Sequence, residues 1–147
     1  MTTDLDVAFP TLTEEDLAVL ETRGRRRDAK TGEVLFRAGD RGFCFYVVLD
    51  GAIDIMDTSR EEAPLIVTHR AGQFSGDVDS LSGRVAVVTA RVAEDSRLLE
   101  LSAEELRRAV DEVPRLTDTI VRAFLMRRQL LLSSGFALVE IIGSRYS

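Results

Sequence analysis

The chain holds one cysteine and one histidine in 147 residues. A lone Cys44 excludes an internal disulfide, and with a single His69 the two cannot furnish an ordinary structural zinc site. Neither has a companion that would make a catalytic dyad. Cys44, in an aromatic strand, reads as core, and His69, beside Arg70 at a strand end, reads as a surface residue. No apolar run approaches the roughly 20 residues that cross a bilayer, and the opening MTTDLDVAFP carries acids where a signal peptide carries base. A cytoplasmic protein with no membrane partner is the expectation. The net charge of −6 argues against binding phosphate backbones, and after the last long helix there is no room for a helix-turn-helix, so no nucleic-acid partner is expected.

What is present is an ordinary globular mix, 45% apolar and 30% charged, sized for one domain. Thr13 before Glu14, Glu15 and Asp16 opens a helix, with Leu17 and Leu20 as its apolar face and Gly24 as its stop. The cluster Arg23, Arg25, Arg26 and Arg27 reads as a solvated helix end and strand start, with an anion-binding patch as the alternative. From about Arg26 to Leu101 the texture is strands: Glu33–Phe36, Cys44–Leu49, Ala52–Met56, Leu65–His69, Val85–Val92 and Arg97–Leu101. Glycine turns separate them, a pattern of sandwiches or barrels rather than parallel α/β sheets. Asp50–Gly51 between two apolar runs is the clearest hairpin signal.

Helix returns at Ser102, whose Ala103-Glu104-Glu105 sequel is a capping box. Pro114 suits the first turn of a second helix over 115–133. Its apolar band (Leu116, Ile120, Val121, Phe124, Leu125, Leu130, Leu131, Leu132) is wider than one core-facing stripe, so the helix is expected to pack on the barrel and against a partner, giving a homodimer. Arg127 and Arg128 on it read as solvated. Beyond Gly135, Ala137–Ile142 reads as a strand; we take 134–147 as a linker or the start of a following domain.

One segment is more specific. Gly39–Asp40, the strand FYVVLDG at 45–51, Gly72, and GDVDSL at 76–81 resemble the cyclic-nucleotide-binding domain family, which includes the effector domains of catabolite activator protein. The resemblance covers residues 11–133. It implies a mainly β fold with flanking helices, a double-stranded β-helix jelly roll with one N-terminal and two C-terminal helices. It also implies a non-catalytic regulatory domain for a small anionic ligand of the cyclic-nucleotide class. In the family a short helix opens at Gly-Glu, and its free N–H groups face the cyclic phosphate. An arginine about nine positions on adds a charge-assisted bond.

Carried over, Gly76 opens the cassette, Asp77 stands at the glutamate, and Val78, Asp79 and Ser80 supply N–H groups. Phe74, Val87, Val88 and Thr89 line the site. With Thr89 at the family's threonine, Ala86 falls at the arginine position, which puts the nucleotide in doubt. Losing a charged hydrogen bond worth roughly 1.5–3 kcal/mol lowers affinity at least about tenfold to hundredfold. Arg84, at the loop end, is the candidate substitute; Arg91, at an odd offset from Ala86, falls on the opposite strand face.

Arg122–Phe136 and Ile141–Ser147 resemble the junction in bacterial proteins that fuse such a sensor to a thioredoxin-reductase-like flavoprotein. That implies FAD and NADPH in a following domain; Gly143 alone makes no dinucleotide fingerprint, so this chain itself is expected to bind no cofactor. The alternative to a sensor is a degenerate module serving only dimerisation or docking. A cupin-like metal enzyme needs several histidines. Asp77-x-Asp79 is a poor calcium loop, because Leu81 sits at the third ligand position. Gly72–Gly76 is not a nucleophile elbow, its serine being one place late.

Overall fold

The computed structural model of the chain describes residues 4–76 and 85–134. Two capping boxes set the helices that flank the sheet. Thr13 Oγ1 accepts from Asp16 N at 3.1 Å while an Asp16 oxygen accepts from Thr13 N, starting α2 (Glu14–Glu21). Ser102 and Glu105 repeat the exchange at the start of α3 (Ala103–Glu112). The last helix, α4 (Pro114–Ser134), begins at its proline as expected, because Pro lacks only an N–H that a first turn leaves unused. One short helix, α1 (Asp4–Ala8), was not expected from the sequence. With one turn's worth of residues it carries no periodic signal, and it depends on tertiary contacts.

Between the helices lie β1 (Arg25–Ala29), β2 (Val34–Phe36), β3 (Phe45–Met56), β4 (Leu65–Arg70), β5 (Phe74–Ser75) and β6 (Thr89–Leu101). All pair antiparallel in one sheet, in the order β1-β6-β3-β4, with β2 also on β6 and β5 also on β3. Side chains alternate across this sheet. One face sends Phe45, Val47, Phe74, Leu99 and Leu101 against Leu20, Leu106, Leu116 and Ile120 of the helices. The other curls around an apolar interior of Tyr46, Val48, Ile53, Ile55, Ala90 and Leu98. This is the antiparallel jelly roll with flanking helices that the sequence suggested.

The hairpin expected at Asp50–Gly51 does not form. Cys44–Leu49 and Ala52–Met56 are two halves of the single strand β3, which pairs along its whole length with β6 and shifts register between Val48 and Ile53. β6 likewise joins the two strands expected at Val85–Val92 and Arg97–Leu101. Gly51 has a φ of +103°, and a Cβ there would lie 2.2 Å from Ser96 Oγ. The turn-like dipeptide is therefore a bulge that bends a long strand. Gly51→Ala is expected to cost at least about 1–3 kcal/mol, seen as a lower midpoint in urea denaturation.

The arginine cluster is spent on glutamates. Arg23 pairs with Glu112, Arg25 with Glu100 and Glu105, Arg26 with Glu21, and Arg27 with Glu33 and Glu100. That supports the solvated strand-start reading over an anion patch.

Candidate functional site

The residues leading to Gly76 are pinned one after another. Gly72 N donates to Val48 O, Gln73 O accepts from Val48 N, and Leu12 N donates to Gly72 O. Arg70 N donates to Gln73 Oε1 at 2.8 Å. In β5, Phe74 pairs with Val47 and turns its ring onto Phe45 (centroids 5.3 Å apart), while Ser75 pairs with Tyr46 and so shares the interior face. Gly76 follows with a φ of +89°, and a Cβ on it would stand 2.6 Å from the Cys44 carbonyl oxygen. Only glycine fits where the chain leaves β5 at this angle.

Across the interior lies the chain running into β6. Ala86 N donates to Asp40 O and Ala86 O accepts from Gly39 N, so the Gly39–Asp40 turn is bound to this segment. Ala86 and Ala90 are buried in the interior cluster, and Val88 packs against it. Val87 is 52% exposed and alternates away from them; the structure does not bring it to the interior with Val88. Thr89 is buried, but its hydroxyl receives the Ala38 N–H at 3.1 Å and bonds Thr58 Oγ1 at 2.8 Å. It fastens the loop after β2. Arg91 is exposed, as its odd offset predicted. Asp77, Val78, Asp79, Ser80 and Arg84 lie outside the described residues, as do Asp77-x-Asp79 as a calcium loop and the strand expected at Ala137–Ile142.

Two residues expected in solvent are inside. His69, opposite Ile53 in the β3–β4 register, is 2% exposed and lies tilted against the Phe9 ring, with centroids 6.0 Å apart. Its Nδ1 has no hydrogen-bond partner among the described residues. Burial, and then the charge of Arg127, hold its pKa well below the usual 6.5. Arg127, 6% exposed, donates from Nε to Ala8 O at 2.5 Å and from Nη1 to Phe74 O at 3.0 Å. Its guanidinium carbon lies 4.4 Å from the Phe74 ring centroid and 5.2 Å from that of Phe9.

The signal for Arg127 was present in the spacing. Leu116, Ile120 and Ala123 are fully buried, Leu130 packs inward, and Arg127 falls in step with them at intervals of four and three residues. For His69, strand alternation from Val67 predicts the inside face. Tyr46, also inside, has its phenol pushed up to about 12, first by burial and then by Glu100. Burial likewise raises the half-buried Cys44 thiol, which lowers its reactivity.

His69 gives a clean pH signature, since the chain has no other histidine. The folded state keeps the ring neutral, whereas the unfolded chain takes up a proton as pH falls below 6.5. Stability is thus expected to be level well above that value and to fall below it, with a slope that approaches about 1.4 kcal/mol per pH unit. Urea denaturation between about pH 7 and 5 checks this, and His69→Phe should flatten the slope.

Residues 26–113 match the model of the cyclic nucleotide-binding domain family. The chain belongs to that family. Among solved structures, one from work on a cyclic-GMP-dependent signalling pathway that regulates bacterial phytopathogenesis is 30% identical; the match covers 80% of this chain and 94% of that one, with a TM-score of 0.69. The catabolite activator protein of Thermus thermophilus matches at 21% identity and a TM-score of 0.71, covering 94% of this chain and 63% of its own. The c-di-GMP-responsive regulator CLP of Xanthomonas campestris matches at 20% and 0.67, covering 90% and 64%. At those identities the last two speak for the fold alone, and the chain spans less than two thirds of either. No protein of curated function matches in sequence. Among the described residues no helix of the domain is long and apolar enough to cross a membrane, and no three His, Cys, Asp or Glu side chains group to hold a metal ion.

Proposed function

We propose that this cyclic nucleotide-binding domain is a non-catalytic, cytoplasmic sensor that takes a cyclic mononucleotide between the turn opening at Gly76 and the segment running into β6. The observation that carries the reading is Gly76, held left-handed against the Cys44 carbonyl at the end of a short strand paired with β3. A chain leaving there can aim successive N–H groups at one anion. In this proposal Val78, Asp79 and Ser80 supply those amides, Asp77 accepts from a ribose hydroxyl, and Val88 contributes packing, while Phe74, which the sequence placed in the site, faces the helices on the other side of the sheet and has no ligand contact. Thr89 acts through the loop it fastens, and Val87 lies outside the contact.

The counter-charge falls to Arg84. Ala86 brings none, being buried with both backbone groups engaged. Arg84, two residues upstream in the sequence, is the candidate that brings one. Thermal denaturation with cGMP, cAMP and c-di-GMP tests the reading: the midpoint should rise with one of the monocyclic nucleotides in proportion to the logarithm of its concentration.

Two finer proposals accompany this one. The resemblance of Arg122–Phe136 and Ile141–Ser147 to a sensor–reductase junction supports a thioredoxin-reductase-like flavoprotein, using FAD and NADPH, as the regulated module. A full-length protein purified without flavin absorbance would refute it. The part-exposed apolar positions of α4, with Leu125 56% exposed beside Val121 and Phe124, support a homodimer through this helix. A monomer by light scattering at high concentration would contradict that. The buried neutral Ala86 favours a second reading, a degenerate module that only docks or dimerises, and a flat response to every nucleotide would select it.

A further inference from the structure

We infer that Arg127 is the residue through which α4 and α1 are coupled to the strand that opens the cassette, acting as a positioning residue rather than a ligand contact. The inference rests on the sensor reading for its purpose, but its geometry stands apart from any ligand. One guanidinium bonds the last carbonyl of α1, at Ala8, and the carbonyl of Phe74, two residues before Gly76. These carbonyls belong to segments 119 and 53 residues away in sequence from Arg127. The same group lies over both rings, Phe9 just after α1 and Phe74 within β5.

The placement is not an accident of a solvated arginine folding back. Arg127 occupies a position of the inward stripe of α4, between the fully buried Ala123 and the inward-packed Leu130. An apolar residue there would pack as well. A buried cation is costly unless it is hydrogen-bonded, and here Nε and Nη1 meet backbone carbonyls, whose positions report the path of the main chain. Neutral His69 on β4 stays uncharged beside it, burial and the Arg127 charge both opposing its protonation. Gly76 has little freedom of its own, since its left-handed backbone abuts the Cys44 carbonyl. A shift of the chain at 74–76 therefore moves the Phe74 carbonyl, and the rigid, planar guanidinium conveys that to α1 and α4 together.

Hydrogen exchange on the whole chain without ligand tests the coupling. Arg127→Met keeps the stem and removes the fork. Amides in residues 4–9 and in 72–76 should exchange about tenfold faster, with the β1–β6 pairing unchanged. Phe9→Ala should also loosen 72–76 in the natural background, and should add nothing in the Arg127→Met background, because the link is already cut. No change at either segment, a uniform rise over all strands, or additive effects of the two substitutions would each overturn the inference. If Arg127→Met does not fold, Arg127→Lys carries the comparison: an ammonium that keeps one carbonyl lacks the planar fork that holds both, so at least one of the two segments should loosen. Adding cGMP separates the two claims. In a chain that binds it, the natural protein should change exchange in 4–9 and 114–134, while Arg127→Met should bind without changing 4–9. If the natural protein does not respond to nucleotide, the sensor reading falls, and the ligand-free arms still decide the coupling.

Discussion

Arg127→Ala is expected to lower the stability of the domain by about 3–5 kcal/mol, the largest effect of any single substitution considered for this chain. Two buried carbonyls, Ala8 O and Phe74 O, lose a charged donor, at about 1–3 kcal/mol each. The faces of Phe9 and Phe74 lose a cation as well. Against a typical total of about 5–15 kcal/mol that is a large fraction. Arg127→Lys should recover part of it by keeping the charge and one carbonyl. Urea denaturation of the three proteins measures the series, and a loss below about 1 kcal/mol for the alanine variant would show that solvent reaches the site freely. By comparison, Arg128→Ala on the exposed side of α4 should fall within about 0.5 kcal/mol of the natural chain.

Arg84→Ala is expected to reduce cyclic-nucleotide affinity about tenfold to hundredfold while leaving the ligand-free urea midpoint unchanged, since the role proposed for it is a charged bond to the ligand. The complementary change separates the two alignments of the cassette. If position 86 were the phosphate contact, Ala86→Arg would tighten binding. With Ala86 1% exposed and its backbone bound to Gly39 and Asp40, an arginine there should instead overpack the interior and lower the unfolding midpoint. Gain of affinity in Ala86→Arg with loss of none in Arg84→Ala would reverse the assignment.

Much of the architecture was legible because local chemistry and tertiary structure agree. Thr13 and Ser102 carry capping boxes whose bonds form as their spacing requires, and Pro114 opens α4 where it can. At Asp50–Gly51 and at α1, distant contacts override or replace the local signal. Asp50–Gly51 is composed like a hairpin, but β6 pairs with both flanks and turns it into a bulge against Ser96. α1 has too few residues to be periodic, and Arg127 holds its last carbonyl. The strand-end position of His69 and the charge of Arg127 favour solvent, whereas strand alternation and the four-and-three spacing of α4 place them inside, where they lie. At the candidate site, Gly76 was legible from its motif, as was Ala86 as a position without charge. The use of Thr89 as a loop fastener was not, because it depends on Ala38 and Thr58 from another turn.

Isothermal titration of cGMP and of cAMP into the purified chain tests the central claim most directly. A saturable exchange of heat with one site per chain for one of the two, weakened in Arg84→Ala, is the expected result. No heat from either at millimolar ligand would contradict it, leaving a jelly roll that has kept the shape of its family and lost the chemistry.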